Sequence, residues 1–567
     1  MLDGIGLLVG ARVYIENDGD PSTVDSIVVQ DQSVIENDPN LHVLHYLQTS
    51  YREHMDRSDT SSTEWGFYPV WGYFNETSEH PAMSNDTASW PVEGWPKGGY
   101  SKEWPLEWDG RFGRGIQYAD LETYFVVNDA QDQEYLGDDD MVKYYPRPGH
   151  FIGQEGHEIT IQNDAPWGGL GLRVETRGFQ WNNPQVRDAL FWEYNITNNS
   201  IYDLPEVCFG YWVDNAIGGE GPDDDIGFYN DELDLAYSWD KDESASDGGT
   251  PGIMGFAYLE SPGLAFDNED NDDDGLIDEK RDNLAGTEVG AYDGINDLAK
   301  FLEFYGLSES ELKPHWSGDE DQDWRDGEDL NGDGIYQSSE SYGDDVGLDG
   351  LGPLDLNYPG PDIGEGNHQP DFDEALGCEP NFAETDVSES DMLGLTSFQL
   401  FTIVGVPEGP APPGTKWFSN DEIMWDMVAS DTLVRLYDVN ANLVELFASG
   451  PFPLFAGRTE RVSMAELHSR DENMLSPDWI APALYELKAV VQLIYESDYR
   501  FAQPPLMPTL EATAGDGKVI LTWDDRSDKL TRDPFIGNVN DFEGYKLYRS
   551  TDKFFEDAEV ITDGYGL

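Results

Sequence analysis

The sequence predicts a mainly β protein: a large antiparallel β-sandwich, interrupted by an irregular acidic segment and accompanied by a few helices. Residues 189–197 (ALFWEYNIT) alternate between two faces, which is the period of a β-strand. Clusters of Gly, Pro, Asn and Asp separate this run from others like it, as turns do in an antiparallel sandwich. From residue 267 the composition changes sharply to Asp and Gly, and the regular periodicity is lost.

The other elements follow from the same patterns. Strands are expected in the apolar or alternating runs at 5–15, 171–176, 207–213 and 396–406. Helices are expected where apolar residues recur at helical spacing, within 297–312, 419–430 and 479–495. The run at 207–213 (VCFGYWV) is apolar almost throughout, which predicts a strand that is buried more fully than the others.

These elements divide the chain into four expected parts. The first is a β-sandwich domain at 1–261, and the second is the acidic segment at 262–395, either an insertion or a domain of its own. Residues 396–503 supply strands and helices that complete the main domain. A Gln-Pro-Pro sequence at 503–505 then breaks the chain before a last part at 504–567.

The charge excludes one class of partner. Lys and Arg total 32 against 114 Asp and Glu, so the formal net charge of the 567 residues is −82. Nucleic acid is not expected to bind, because a phosphate backbone is held by clustered Lys and Arg. Anionic membrane surfaces are disfavoured for the same reason. The 17 Trp, 29 Tyr and 26 Phe argue against disorder, because so much aromatic surface must be buried or form binding faces.

Two explanations of the acidity stay open at this point. Bound cations could neutralise the carboxylates locally, or the surface could be adapted to high salt, with solvated carboxylates facing brine. Arg outnumbers Lys, which fits either explanation.

Residues 329–340 (DLNGDGIYQSSE) have the spacing of a twelve-residue calcium loop. Positions one, three, five, seven, nine and twelve fall on Asp329, Asn331, Asp333, Ile335 (through its carbonyl), Gln337 (through a water) and Glu340. Gly334 stands at position six, where the backbone must turn sharply. The alternative is an acidic, Gly-rich surface loop, but agreement at every ligand position favours Ca²⁺.

A second loop begins at residue 270 (DNDDDGLIDE) and matches in its first half. The corresponding ligands are Asp270, Asp272, Asp274, Leu276 (through its carbonyl) and Asp278. Position twelve is Arg281, which cannot bind a cation, so the last carboxylate would come from Glu279, Asp282 or another segment. Neither loop has the flanking helices of a regulatory EF-hand. The predicted role of calcium is therefore structural.

Other chemistry leaves weaker signals. Two cysteines, Cys208 and Cys378, do not make a disulfide scaffold. No run of about twenty apolar residues predicts a transmembrane helix, so membrane insertion is not expected. The sequence lacks G-x-S-x-G, H-E-x-x-H and Walker motifs, and it has no dinucleotide-binding G-x-G-x-x-G between a strand and a helix. A glycosidase needs only two carboxylates, so a glycan hydrolase or lyase is the enzyme alternative.

Tryptophans concentrate at residues 65–108. Exposed Trp and Tyr rings can stack on sugars, so this segment could form a glycan-binding face. We expect instead that the rings fill the core beneath long loops, as large aromatic side chains usually do.

The last part of the chain resembles the first half of a fibronectin type III module. The residues that carry the resemblance are GDGKVILTWDD, with Val519, Leu521 and Trp523 on one face, and EGYKLYRS, with Tyr545 and Leu547 facing them. The resemblance covers residues 508–567 and implies an incomplete sandwich there.

More broadly, the chain is similar to secreted surface proteins of Bacteroidetes-type bacteria. The motifs are DNDDDGLIDE, DGEDLNGDGIY, EPNFAETDVSESDMLGLTSF and GDGKVILTWDD. The resemblance implies an extracellular or cell-surface location. Residues 1–15 lack the basic flank and cleavage-site pattern of an export signal, so we expect the chain to be a section of a longer exported polypeptide. The expected function is a non-catalytic, calcium-stabilised scaffold or adhesion protein. Its expected partners are cell-surface glycans or other surface proteins. A secreted carbohydrate-binding protein or a glycan-degrading enzyme is the alternative.

Overall fold

The computed structural model describes residues 2–16, 26–27, 41–51, 56–57, 64–70, 72–96, 102–111, 113–129, 170–199, 203–219, 225–246, 248–281, 284–327, 343–353, 358–373, 376–402, 421–433, 436–437, 443–471, 480–497, 499, 508–524, 526–529, 544–545, 548–549 and 559–560. The described residues are mainly β, with 38% strand against 11% helix. The predicted fold class is confirmed.

The longer strands are β1 (Leu2–Glu16), β2 (Leu41–Thr49), β3 (Leu121–Asn128), β4 (Leu172–Gln180), β5 (Ala189–Asn198), β6 (Leu204–Asn215), β7 (Asp225–Asn230), β8 (Leu235–Asp240), β9 (Ile253–Glu260), β10 (Ser397–Thr402), β11 (Leu443–Leu454), β12 (Thr459–Ser469), β13 (Leu510–Gly515) and β14 (Lys518–Trp523). The helices are α1 (Leu298–Phe304), α2 (Asp421–Val428), α3 (Pro482–Glu496) and the single turn α4 (Arg526–Lys529). Two-residue strands lie at Ser26–Ile27, Asp56–Arg57, Glu64–Trp65, Tyr68–Pro69, Ala82–Met83, Trp95–Pro96, Lys102–Glu103, Asp109–Gly110, Gly113–Arg114, Phe372–Asp373, Gly377–Cys378, Leu436–Tyr437, Tyr548–Arg549 and Glu559–Val560.

Two antiparallel sheets form the sandwich. The first has the order β1-β6-β11-β10, with β2 on the other side of β1. The second has the order β7-β8-β9-β12-β5-β4-β3. Their inner faces share one apolar core, in which Phe209, Tyr211 and Phe447 of the first sheet pack with Phe256 and Met464 of the second. The predicted runs became strands because their alternating side chains fill this core.

The first sheet is covered on both faces, which explains the apolar run at 207–213. Phe209 and Tyr211 point into the sandwich core. Cys208 and Trp212 point to the opposite face, where they belong to a second apolar cluster with Met424 and other residues of α2. A strand buried on two faces loses the polar half of its alternation.

Tryptophans also cover the outer face of the second sheet. Trp95 and Trp108 are buried, and they cluster with Tyr124 and Val126 of β3. Trp90 and Trp104 pack against the same cluster and are partly buried. These four tryptophans therefore fill a core, as expected, rather than forming an exposed glycan-binding face.

The chain separates into two compact units. One consists of Met1–Asp278 and Ser390–Leu493, and the other of Glu279–Glu389 and Ile494–Leu567. In the described part of 279–389, regular structure consists of α1, a turn of 3-10 helix at Ala383–Thr385 and the strands Phe372–Asp373 and Gly377–Cys378. Its apolar cluster is small, with Trp324, Cys378, Phe382 and Ala383 buried at its centre. A core of this size is weak support for so many irregular residues.

The helix expected within 297–312 is shorter than the apolar spacing of those residues predicts, because α1 ends at Phe304. Asp297 caps α1 by accepting hydrogen bonds from the backbone N–H groups of Ala299 and Lys300. Gly306 has a φ of +65°, and the N–H of Leu307 returns to the Leu302 carbonyl. A left-handed glycine with this bond ends a helix, whatever apolar spacing follows it.

The last part of the chain contains an antiparallel hairpin of β13 and β14. The rings of Trp523 and Tyr545 contact each other, with centroids 5.4 Å apart. Both side chains are more than 40% exposed. The fibronectin type III resemblance, like the division of the chain at 261, 395 and 503, stays a prediction.

Candidate metal centre

The loop that begins at Asp270 brings its first three predicted ligands together. Asp270, Asp272 and Asp274 each place an oxygen within 4.8 Å of the others. Gly275 has a φ of +95°, the left-handed conformation that favours glycine at the sharp turn of such a loop. Leu276 is buried, and its N–H donates to Asp274 Oδ1 at 2.8 Å. The arrangement can hold a cation, while its assignment as a calcium loop stays a prediction.

A carboxylate from a distant segment holds this loop closed. Asp391 accepts hydrogen bonds from the N–H of Asn271 at 2.7 Å and from the N–H of Asp278 at 3.1 Å. Asp267, Asp278 and Asp391 form a group of their own, with oxygens within 4.8 Å of one another. Asp278 therefore lies in this neighbouring group and not in that of Asp270. Sequence reasoning allowed for a ligand from another segment but did not identify Asp391.

The second predicted loop cannot be compared with the structure. Asp329, Asn331, Asp333, Ile335, Gln337 and Glu340 all lie outside the described residues. Their assignment as calcium ligands stays a prediction.

A larger cluster lies just before that loop, in the unit that contains 279–389. It consists of four buried acids and the partly buried Asp323, from two segments, here called the buried carboxylate cluster: Asp319, Asp321, Asp323, Asp386 and Glu389. Asp319, Asp321 and Asp323 alternate with other residues along one short stretch, in which the Gln322 N–H donates to the Asp319 carbonyl at 3.2 Å and closes a turn. Asp386 and Glu389 come from the end of the acidic segment, more than sixty positions away.

Hydrogen bonds from backbone N–H groups and from one hydroxyl hold the carboxylates of this cluster in place. The N–H of Asp321 donates to Glu389 Oε1 at 2.9 Å, which joins the two segments. The Ser388 hydroxyl donates to Asp321 Oδ2 at 2.9 Å and forms a second link between the two segments. The N–H of Trp324 donates to Asp319 Oδ1 at 2.9 Å. In this segment, carboxylates accept the backbone N–H groups that carbonyl oxygens accept in a helix or a sheet.

The electrostatics of the cluster are unfavourable when it is ionised without a counterion. Burial raises the pKa of Asp319 and Glu389 well above their ordinary ranges, and the charge on Asp321 adds to both shifts. Burial, then the charge on Asp319, raises the pKa of Asp386 to about 7. At an effective dielectric constant of about 20, two like charges 4.8 Å apart repel by roughly 3 kcal/mol. Protons or cations must therefore neutralise part of this cluster.

A third group is more exposed. Asp345 is buried and accepts the backbone N–H groups of Gly366, Asn367 and His368. His368 Nδ1 lies 2.8 Å from Asp326 Oδ1, and both of these side chains are about half exposed. Asp326, Asp345 and His368 can together offer three ligand atoms within 4.8 Å.

The signals for these residues in the sequence were unequal. Asp319, Asp321 and Asp323 alternate with other residues in DEDQD, the spacing of the first three positions of a calcium loop. Trp324 occupies the position where that pattern needs glycine, so the motif is incomplete. Nothing local marks Asp386, Glu389 or Asp391, because their role depends on a chain reversal that no short pattern encodes.

The described helices are too short or too polar to cross a membrane. Comparison of the chain with models of protein families, with curated proteins and with solved structures finds no match.

Proposed function

We propose that this chain is a non-catalytic, extracellular scaffold or adhesion protein whose acidic segment is held in shape by calcium. The observation that carries the proposal is the use of buried carboxylates as ties between distant segments. Asp391 binds the backbone of the 270–278 loop, and Glu389 binds the backbone of Asp321. These contacts position the main chain, which is a structural use of acidic residues.

The ligand chemistry favours calcium over other common metals. The groups around Asp270, Asp319 and Asp386 consist of carboxylates alone. Calcium is a hard cation that takes six to eight oxygen ligands in flexible geometry. Zinc sites are usually built with Cys or His, and magnesium keeps several waters and demands a near-octahedral shell. Structural calcium sites of extracellular modules fill at about 10⁻⁴–10⁻³ M calcium, and we propose the same setting for this chain.

The small apolar cluster of the acidic segment supports the same role. Its described residues contain little regular structure, and Trp324 and Phe382 are the largest side chains at the cluster's centre. Segments with so little core are usually stabilised by metals or disulfides. Both cysteines are free and buried, which leaves metal as the available cross-link.

Nothing in the described residues favours the carbohydrate-binding or glycan-degrading alternative. Trp95 and Trp108, the most buried tryptophans of the described part of the 65–108 segment, pack into an apolar cluster. Rings that are used in this way offer no face for stacking on sugars.

Limited proteolysis tests the proposal. The chain is digested with a protease that cleaves after Glu, with calcium and with a chelator, at constant ionic strength. Chelation is expected to speed cleavage within 262–395 by at least about tenfold, because local opening there loses its metal ties. Cleavage within the strands of 172–260 is the internal control and should not change. Equal cleavage rates within 262–395 under the two conditions would contradict the calcium role and leave the high-salt explanation of the charge.

A further inference from the structure

The oxygens of the buried carboxylate cluster fall into two groups that share one residue. Asp319, Asp321 and Asp323 form the first, and Asp321, Asp386 and Glu389 form the second. Within each group the ligand atoms lie within 4.8 Å of one another, but the described residues do not form one such group of all five. A single cation would therefore leave part of the cluster beyond its reach.

The second group also has oxygens that hydrogen bonding does not use. Asp386 and Glu389 are 2% and 1% exposed. Asp386 Oδ1 accepts the Glu389 N–H and lies within reach of the Ser388 hydroxyl, while Glu389 Oε1 accepts the Asp321 N–H. Asp386 Oδ2 and Glu389 Oε2 are buried with no hydrogen-bond partner.

The first group shows the same feature at one atom. Asp323 Oδ1 is buried and has no hydrogen-bond partner. An acceptor that is removed from water without a partner is unfavourable, and an ionised one is much more so. Each group thus contains at least one buried oxygen that a ligand of positive charge would satisfy.

The spacing fits calcium in both groups. Calcium–oxygen distances are about 2.3–2.6 Å, so oxygens on opposite sides of one ion are about 4.6–5.2 Å apart. Three oxygens within 4.8 Å can therefore surround one ion in each group. Asp321 has two carboxylate oxygens, and a carboxylate can bridge two cations. Two calcium ions carry four positive charges, against five negative charges on the cluster, whereas one ion would leave three uncompensated.

We propose that the buried carboxylate cluster binds two neighbouring calcium ions, with Asp321 as the bridging ligand. Asp319 and Asp323 complete the protein ligands of the first ion, and Asp386 and Glu389 those of the second. This inference rests on the proposed calcium-dependent role and specifies its central site. The pair of ions would join the stretch at 319–323 to the stretch at 386–389, which lie at opposite ends of much of the acidic segment.

Calcium stoichiometry tests the bridge. The full chain is stripped with chelator, reloaded, and assayed for bound calcium per chain by equilibrium dialysis. Asp323→Asn and Asp386→Asn are each expected to lose one calcium ion relative to the wild type, and Asp321→Asn two. Glu303→Gln is the matched control, because Glu303 is an exposed acid of the same unit on α1, and it should lose none.

The outcomes separate the two proposals. A wild-type chain that binds no calcium would overturn both. A chain that binds calcium but loses at most one ion in Asp321→Asn would overturn the bridged pair and leave the proposed function standing. Circular dichroism of each variant shows whether it has kept its fold.

A second measurement needs no variant of the cluster. Trp324 is buried and its backbone N–H donates to Asp319, so terbium bound in this cluster should accept energy from the Trp324 indole. With a mixture of terbium and europium, the lifetime of the tryptophan-sensitised terbium emission should shorten, because a europium ion occupies the neighbouring position. A Trp324→Phe control identifies the part of the signal that comes from this cluster. An unchanged lifetime of that part would overturn the pair.

Discussion

Replacing Glu445 by Gln is expected to remove a pH-dependent loss of stability from the β-sandwich. Glu445 lies on β11, is fully buried, and accepts a hydrogen bond from the Ser238 hydroxyl of β8. Its other oxygen, Oε2, is buried without a hydrogen-bond partner. A neutral carboxylic acid or an amide fits this environment, and a carboxylate does not.

The magnitude follows from the pKa of Glu445. Burial raises it from 4.5 to about 7, against a lowering by the hydrogen bonds from Ser238 and Asn215. A folded-state pKa above the unfolded one means that stability is highest below about pH 4.5. It falls as the pH rises and reaches its lower value above about pH 7. The full loss is roughly 3 kcal/mol, a large share of the 5–15 kcal/mol that holds a typical domain together.

Urea unfolding at pH 5 and pH 8.5, at constant salt and calcium, measures this effect. Many other acids titrate in this chain, so the informative quantity is the difference between wild type and Glu445→Gln at each pH. The variant should gain about 2–3 kcal/mol relative to the wild type between the two conditions. Glu232→Gln, at an exposed acid that follows β7, is the control and should gain nothing. The reasoning is refuted if Glu445→Gln and the wild type change in parallel with pH.

Three further outcomes are expected. Gly210→Ala should destabilise the sandwich by about 3 kcal/mol in denaturant unfolding, because a Cβ there would lie 1.8 Å from the Phe447 carbonyl oxygen of the paired strand. Glu193→Gln should lower the free energy of unfolding by roughly 2–4 kcal/mol, because Glu193 is buried and bonds Arg111 Nε at 2.9 Å; no loss would mean that this ion pair contributes nothing. The thiol of Cys208 should not react with a thiol reagent until the chain unfolds, because burial raises its pKa above the ordinary range; rapid reaction of the folded chain would contradict this.

The strands were predictable because their information is local. Residues 172–176, 189–197 and 207–213 lie in strands of the sandwich, as their side-chain periodicity predicts, and Gly171 directly precedes the first of these strands. The alternation of side chains did not predict which face of β5 is buried, because the buried face changes along the strand. Phe191 is buried near the start of this strand and Ile196 near its end, although they point to opposite faces. Tertiary neighbours set that difference, since Trp181 covers Phe191 and the sandwich core covers Ile196.

The ligands of the candidate metal sites also differ in how far the sequence predicts them. Asp270, Asp272 and Asp274 share a short turn, so their convergence could be inferred from spacing alone. Asp391 and Glu389 reach their clusters only after the acidic segment has folded back on itself. Their contribution depends on contacts across 120 and 68 positions, for which no local pattern exists. An acidic segment with many carboxylates therefore hides its long-range ligands among residues of the same type.

The two explanations of the acidity differ in what they can explain for exposed and for buried residues. Calcium ions in the described clusters would cancel only a few of the 82 excess negative charges, so most acids must be solvated whichever explanation holds for the clusters. Dissolved salt screens exposed charges, but it acts much less on buried ones such as Asp319, Asp386 and Glu389. A brine-adapted surface gives no reason to place carboxylates where brine cannot reach them. The buried acids thus call for protons or specific cations. Because such cations act by binding, they should protect the acidic segment at concentrations far below those at which monovalent salt protects the surface.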